Sequence, residues 1–195
     1  QAAERLKGEV ALDLHFQPFE LNPQMAPEGQ DIGEHLQEKY GATPEQSQKN
    51  REAIAARGAA LGFTFSMDKR SRIYNTFDAH RLLHWAEEKG VQPALKKALF
   101  KAYFSDGGNP SDHAQLARIA QSVGLDPQRA EVILASDEFA NEVREEEQLW
   151  LSRGVSSVPT VVFNGQYAVT GGQPVETFVG AIRQIISEAQ TNADR

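Results

Sequence analysis

Hydrophobic and polar positions alternate with a period of two only near the two ends of this chain. Val10, Leu12, Leu14 and Phe16 alternate with Ala11, Asp13 and His15, which predicts a strand buried on one face. Before it, Ala2, Ala3, Glu4, Leu6 and Lys7 are good helix formers and read as the tail of a helix stopped at Gly8. Pro18, Pro23 and Pro27 then break regularity. From Asp31 to about Gly154 the pattern is helical almost throughout. Thr43-Pro44-Glu45-Gln46 is a capping box with proline at the first helical position, opening a helix to about Leu61. Phe77, Ala79, Leu82, Leu83 and Ala86 predict a helix ending near Gly90, and Leu95, Ala98, Leu99, Ala102 and Tyr103 another. Ser111 is placed to cap a helix stopped at Gly124. Asp126-Pro127 opens the next, and Asp137 and Glu138 stand where acidic groups favour the start of a last long helix ending at Gly154.

The period then changes back. Thr160–Phe163, the pair Asn164-Gly165, and Tyr167–Val169 predict a tight β-hairpin, since Asn-Gly supplies the positive φ angles that such a turn needs. Pro174 opens a final helix whose Val175, Phe178, Val179, Ile182, Ile185, Ile186 and Ala189 form one apolar stripe, with Phe178, Ile182 and Ile186 expected against the sheet. Thr191–Arg195 reads as a frayed tail. The plan is strand, long helical insertion, hairpin, helix: an α/β core, residues 1–16 and 155–195, with an inserted helical domain at 17–154.

Composition narrows the function. The formal net charge of −7 argues against a nucleic-acid partner or an anionic membrane surface. No apolar run approaches the roughly 18 residues of a membrane helix. Gln1–Lys7 is no signal peptide, so a cytoplasmic protein is expected. The 195 residues hold no cysteine, so the chain by itself has no disulfide, thiolate metal site or thiol chemistry. Read alone, Ser157-Val158-Pro159-Thr160 is an ordinary loop proline, because only about 5–6% of X–Pro bonds are cis and proline at the start of a strand is common.

Three stretches, in order, change that reading. Leu14-His15-Phe16-Gln17-Pro18-Phe19-Glu20-Leu21-Asn22-Pro23, then Arg72-Ile73-Tyr74-Asn75-Thr76-Phe77-Asp78-Ala79-His80-Arg81-Leu82, then Gly154–Gly165 with Tyr167–Pro174, together resemble the DsbA-like thioredoxin-fold oxidoreductases of the FrnE type. Their cousins are the 2-hydroxychromene-2-carboxylate isomerases and the kappa-class glutathione transferases. The resemblance implies an α/β thioredoxin-like fold with a large α-helical insertion. It implies a Cys-x-x-Cys at the start of the first helix, directly after the first strand. Gln1 matches the middle or end of that helix, so the first strand and the redox pair are expected upstream of Gln1, in a longer protein. The missing first strand would be the inner neighbour of Val10–Phe16.

The function so implied is thiol–disulfide exchange or isomerisation on a disulfide-containing protein or a small-molecule thiol, with no cofactor and no metal. A helix-start cysteine attacks as the thiolate and passes through a mixed disulfide. Pro159, cis in the family, would stand beside the sulfurs, with Val158 offering its backbone to an extended substrate and Thr160 completing the groove. Asn75, Thr76, His80 and Arg81 match the signature of the helical domain and are candidate substrate-binding residues; the other reading of Asn75 is a helix cap. His80 and His84 have the spacing of a two-histidine metal face, but no third ligand accompanies them, and they read as partly buried, hydrogen-bonded histidines. Tyr74 and Trp85 are groove or core aromatics. Arg144-Glu145-Glu146-Glu147 reads as a solvated helix face. Two other functions stay open: a glutathione-dependent isomerase or transferase with serine in place of the first cysteine, and a non-catalytic binding protein of the same fold.

Overall fold

In the computed structural model, which describes residues 1–193, the helices begin where short side chains can cap them. The first, α1 (Ala2–Arg5), is one turn. A two-residue strand β1 (Gln30–Asp31) runs into α2 (Ile32–Tyr40), whose N-cap Asp31 accepts from the amides of Gly33 and Glu34 at 2.7 and 3.1 Å. Gly41, at φ +63°, closes that helix. Next comes α3 (Pro44–Ala60), with the full reciprocal capping box between Thr43 and Gln46 at 2.9 and 3.2 Å. Thr43→Ala should therefore cost about 1 kcal/mol, read as a lower urea midpoint at unchanged slope.

Strand β2 (Arg72–Ile73) pairs antiparallel with β1. Then α4 (Phe77–Glu88), α5 (Gln92–Phe100), a π-helical turn (Lys101–Ser105), α6 (His113–Ser122), α7 (Pro127–Leu134) and α8 (Ala140–Ser152) follow. The hairpin is β3 (Thr160–Phe163) and β4 (Tyr167–Thr170), and α9 (Val175–Ala193) ends the chain's described part. No helix among the described residues is long and apolar enough to cross a membrane.

The chain divides into two compact units: Gln1–Leu14 with the residues from Gln148 on, and His15–Glu147. In the helical unit, Leu82 and Ala86 of α4, Leu95 of α5, Leu116 and Ala120 of α6, and Ala130 and Ile133 of α7 are all shut off from solvent and form one core. In the other unit, Val179 and Ile182 of α9 are buried with Leu6, and Val10, Phe163, Val175 and Ile186 pack against them. The apolar stripe of α9 thus faces α1 and the hairpin, although Phe178 is only half-buried.

Several local expectations differ from what forms. Val10–Phe16 carries no strand, and Leu12 and Leu14 are 43% and 60% exposed. A period-two pattern makes a strand only when a neighbour supplies the ladder, and among the described residues none does. Asp112, not Ser111, caps α6, accepting from the Gln115 amide at 2.9 Å, because the Ser111 hydroxyl is committed to the Asn75 carbonyl at 2.6 Å. The helix expected from Leu95 to Tyr103 widens after Phe100, where Ser66 and Ser105 tie this turn to the 64–66 loop by bonds of 2.9 and 2.5 Å. The hairpin has three connecting residues, Asn164–Gln166, with Asn164 and Gly165 at φ +50° and +69°. The expected frayed tail is helical through Ala193; its last two residues, Asp194 and Arg195, lie outside the described ones.

Candidate functional site

The loop before β3 is built by short-range hydrogen bonds. Gly154, at φ +86°, ends the α8 segment, and Val155 donates to the Trp150 carbonyl at 3.0 Å. The Thr160 hydroxyl donates to the Ser157 carbonyl at 2.7 Å, and the Pro159 carbonyl accepts from the Gly171 amide at 2.8 Å. The Val158–Pro159 peptide is cis. Val158 is 45% exposed, and no hydrogen bond among the described residues engages its backbone N–H or C=O. An exposed residue with both backbone groups open can pair with an extended chain as an edge strand does.

The four signature residues of the helical unit lie at the start of α4. The Asn75 side chain accepts from the Phe77 amide at 2.8 Å, one residue ahead of the N-cap, and its backbone carbonyl takes the Ser111 hydroxyl. Thr76 occupies the N-cap position without a side-chain bond of its own. The ring N–H of His80 donates to the Phe19 backbone, yet burial pulls its pKa down to about 3, with the Lys96 and Arg144 cations pushing the same way. His80 is therefore a neutral imidazole at physiological pH. Arg81 is 3% exposed, and its guanidinium binds the carbonyls of Glu138 at 2.8 Å, Ile133 and Ser136, and the Asp78 carboxylate at 2.8 Å. These four residues share one helix start; Val158, Pro159 and Thr160 belong to the other unit.

His84 does not join His80 in a metal face. Its Nδ1 lies 3.5 Å from a Glu146 oxygen, and its ring packs on Phe139 with centroids 5.2 Å apart. No group of three or more His, Cys, Asp or Glu placed to hold a metal occurs among the described residues. Trp85 is a core residue at 4% exposure, while Tyr74 is half-buried with its ring edge-on to Tyr103.

One expectation is overturned. The run Arg144–Glu147 is not a solvated face throughout: Arg144 and Glu145 are exposed, Glu146 is half-buried and Glu147 is buried. Glu147 is one helical turn from the core residue Val143, an i, i+4 spacing that could have signalled it. Its carboxylate accepts the Glu20 amide at 2.9 Å and pairs with Arg144 at 2.9 Å, while Arg144 also pairs with Glu20 and stacks over the Phe77 ring. Gln92, equally unsignalled, is buried and holds the Phe16 amide and carbonyl at 2.8 and 3.1 Å. No residue-type pattern marks such contacts, which join positions 76 and 127 apart.

One unit holds the hairpin and α9, and the other holds α2 to α7. A family model of the DsbA-like thioredoxin domain matches residues 1–183, and the chain belongs to that family. A probable DsbA oxidoreductase from Streptomyces coelicolor is 35% identical over 88% of this chain and 74% of its own, with a TM-score of 0.83. A candidate protein disulfide isomerase from Nitrosomonas europaea is 18% identical over 80% of this chain and 88% of its own, with a TM-score of 0.63, a likeness of fold. No curated protein matches the chain.

Proposed function

We propose that this chain is the substrate-side part of a thiol–disulfide oxidoreductase or isomerase of the FrnE type. The observation that carries the reading is family membership over residues 1–183, with a 35%-identical relative that bears the name of a DsbA oxidoreductase. Disulfide exchange needs a thiolate, and the 195 residues contain none, so the attacking sulfur has to come from outside them. What these residues contribute is the recognition loop. Val158 presents its open N–H and C=O to an extended segment of a disulfide-bearing protein or small thiol, with Pro159 and Thr160 shaping the same edge. Asn75 and Thr76 order the entry to α4 within the helical unit, where the His80 ring and the Arg81 guanidinium are enclosed.

Insulin reduction and reactivation of a scrambled disulfide protein test the reading. The 195-residue chain should behave like buffer in both assays, and the gene product that carries it should turn over. A gene product that is inert toward disulfides, but binds glutathione and isomerises an aromatic small molecule, would replace this reading with the glutathione-dependent one. A gene product that does neither, but binds an extended peptide, would be the non-catalytic relative. The loop has its own readout: an extended disulfide-bearing peptide should shift the Val158 amide resonance, and an unmoved Val158 would remove the loop from substrate recognition.

A further inference from the structure

The segment His15–Glu20 is fastened along its length to the helical unit. His15 contacts Glu87 of α4 at 2.5 Å, the buried Gln92 side chain of α5 pairs with both backbone groups of Phe16, and Pro18 is buried. Glu20 ends the strap. Its side chain is only 2% exposed; one oxygen pairs with Arg144, and the other is enclosed without a hydrogen-bond partner among the described residues. Glu147, also buried, takes the Glu20 amide and the same guanidinium. The helical unit begins at His15 and ends at Glu147, so this strap and this carboxylate stand where the chain enters and leaves it.

We propose that Glu20, Arg144 and Glu147 form a proton-operated clasp that holds the 15–20 strap, and with it both chain passages of the helical unit, more tightly when Glu20 is protonated. Two enclosed carboxylates compete for one guanidinium. Adding a proton to Glu20 leaves Arg144 to Glu147, relieves the repulsion between the acids and removes an enclosed charge, gains set against the contacts that Arg144 and the Asn75 amide make with the anion. The direction follows from burial, which raises the Glu20 carboxyl above its ordinary value and, with the Glu147 charge, outweighs the lowering by Arg144 and by the Asn75 amide. A docked group with a raised pKa binds its proton more firmly than the same group in an opened strap, which titrates near 4.3. Docking therefore strengthens as pH falls through the window between that value and the raised one.

The charged groups around the strap are Arg144 and Glu147 of α8, His80 of α4 and Lys96 of α5, with Glu87 against His15. His80 works in the opposite sense, because its docked form is neutral and acid favours its release. The test must isolate Glu20 with His80 intact. Amide exchange of Phe16 and Glu20 is compared between the full chain and Glu20→Gln at the same pH, which cancels the intrinsic pH dependence of exchange. At pH 8 the Gln variant, an isostere of the protonated acid, should exchange roughly three- to tenfold more slowly, an effect of about 0.7–1.4 kcal/mol. At pH 4 the two should coincide. A variant that exchanges faster at pH 8, or a ratio that does not change with pH, overturns the proposal. Should the variant fail to fold, the carboxyl carbon of Glu20 in the unaltered chain decides: a midpoint at or below that of free glutamate also overturns it.

Discussion

Replacing Arg81 with alanine should destabilise the helical unit by about 3–5 kcal/mol, the range for breaking a buried, fully hydrogen-bonded charge. The Arg81 guanidinium does the work of a C-cap for α7. Its Nε donates to the Glu138 carbonyl, one Nη to the Ile133 and Ser136 carbonyls, and the other Nη to Asp78, which also holds His113 at 2.7 Å. Alanine leaves the Glu138 and Ser136 carbonyls without the guanidinium beside a void, whereas the Ile133 carbonyl keeps its Ser136 donors and Asp78 keeps His113, and each unsatisfied buried acceptor costs about 1–3 kcal/mol. Arg81→Lys should recover less than half of the loss, because one ammonium cannot reproduce the planar fork that reaches three carbonyls and Asp78 together. Urea midpoints for the two variants check this. A loss for Arg81→Ala below about 1 kcal/mol would mean that water or a repacked turn replaces the guanidinium.

Arg81 also shows where the sequence stops being informative. It stands in a motif and was legible as a residue to watch, but its partners are backbone carbonyls 52 to 57 positions away, and carbonyls carry no residue signature. Some contacts within four residues are readable from residue type, although the Asp112 cap of α6 is not. Thr43 with Gln46, Asp126 before Pro127 and Asn164-Gly165 act through local geometry that residue type alone supplies. The apolar stripe of α9 was readable for the same reason, since helical period fixes which side chains share a face. Val10–Phe16 was misread because a strand is a property of a pair. Glu20 and Glu147 were missed because acidic residues are buried only when a partner from elsewhere in the chain meets them, here through Arg144. The loop at Val158 was legible only through family likeness; its residue types alone read as an ordinary turn.

The pH dependence of stability should be dominated between pH 6.5 and 3 by His80. Burial, joined by Lys96 and Arg144, holds its folded-state pKa at about 3, whereas an unfolded chain titrates it near 6.5. Between those values the unfolded state binds the extra proton, so stability falls as pH falls through the window. The contribution of the neutral imidazole is intact above pH 6.5 and is lost as pH approaches 3, with an upper bound of about 5 kcal/mol for a shift of this size. His80→Gln removes the titration while keeping a donor for the Phe19 carbonyl. At pH 7 the variant should be less stable than the unaltered chain by about 1 kcal/mol, the worth of an imperfectly replaced hydrogen bond. At pH 4 the order should reverse, with the variant the more stable by about 1–3 kcal/mol. Urea unfolding at the two pH values reads both differences, and the carboxylates common to the two proteins cancel in the comparison. If the two stability curves run parallel from pH 7 to pH 4, His80 is not the group that makes the helical unit acid-sensitive.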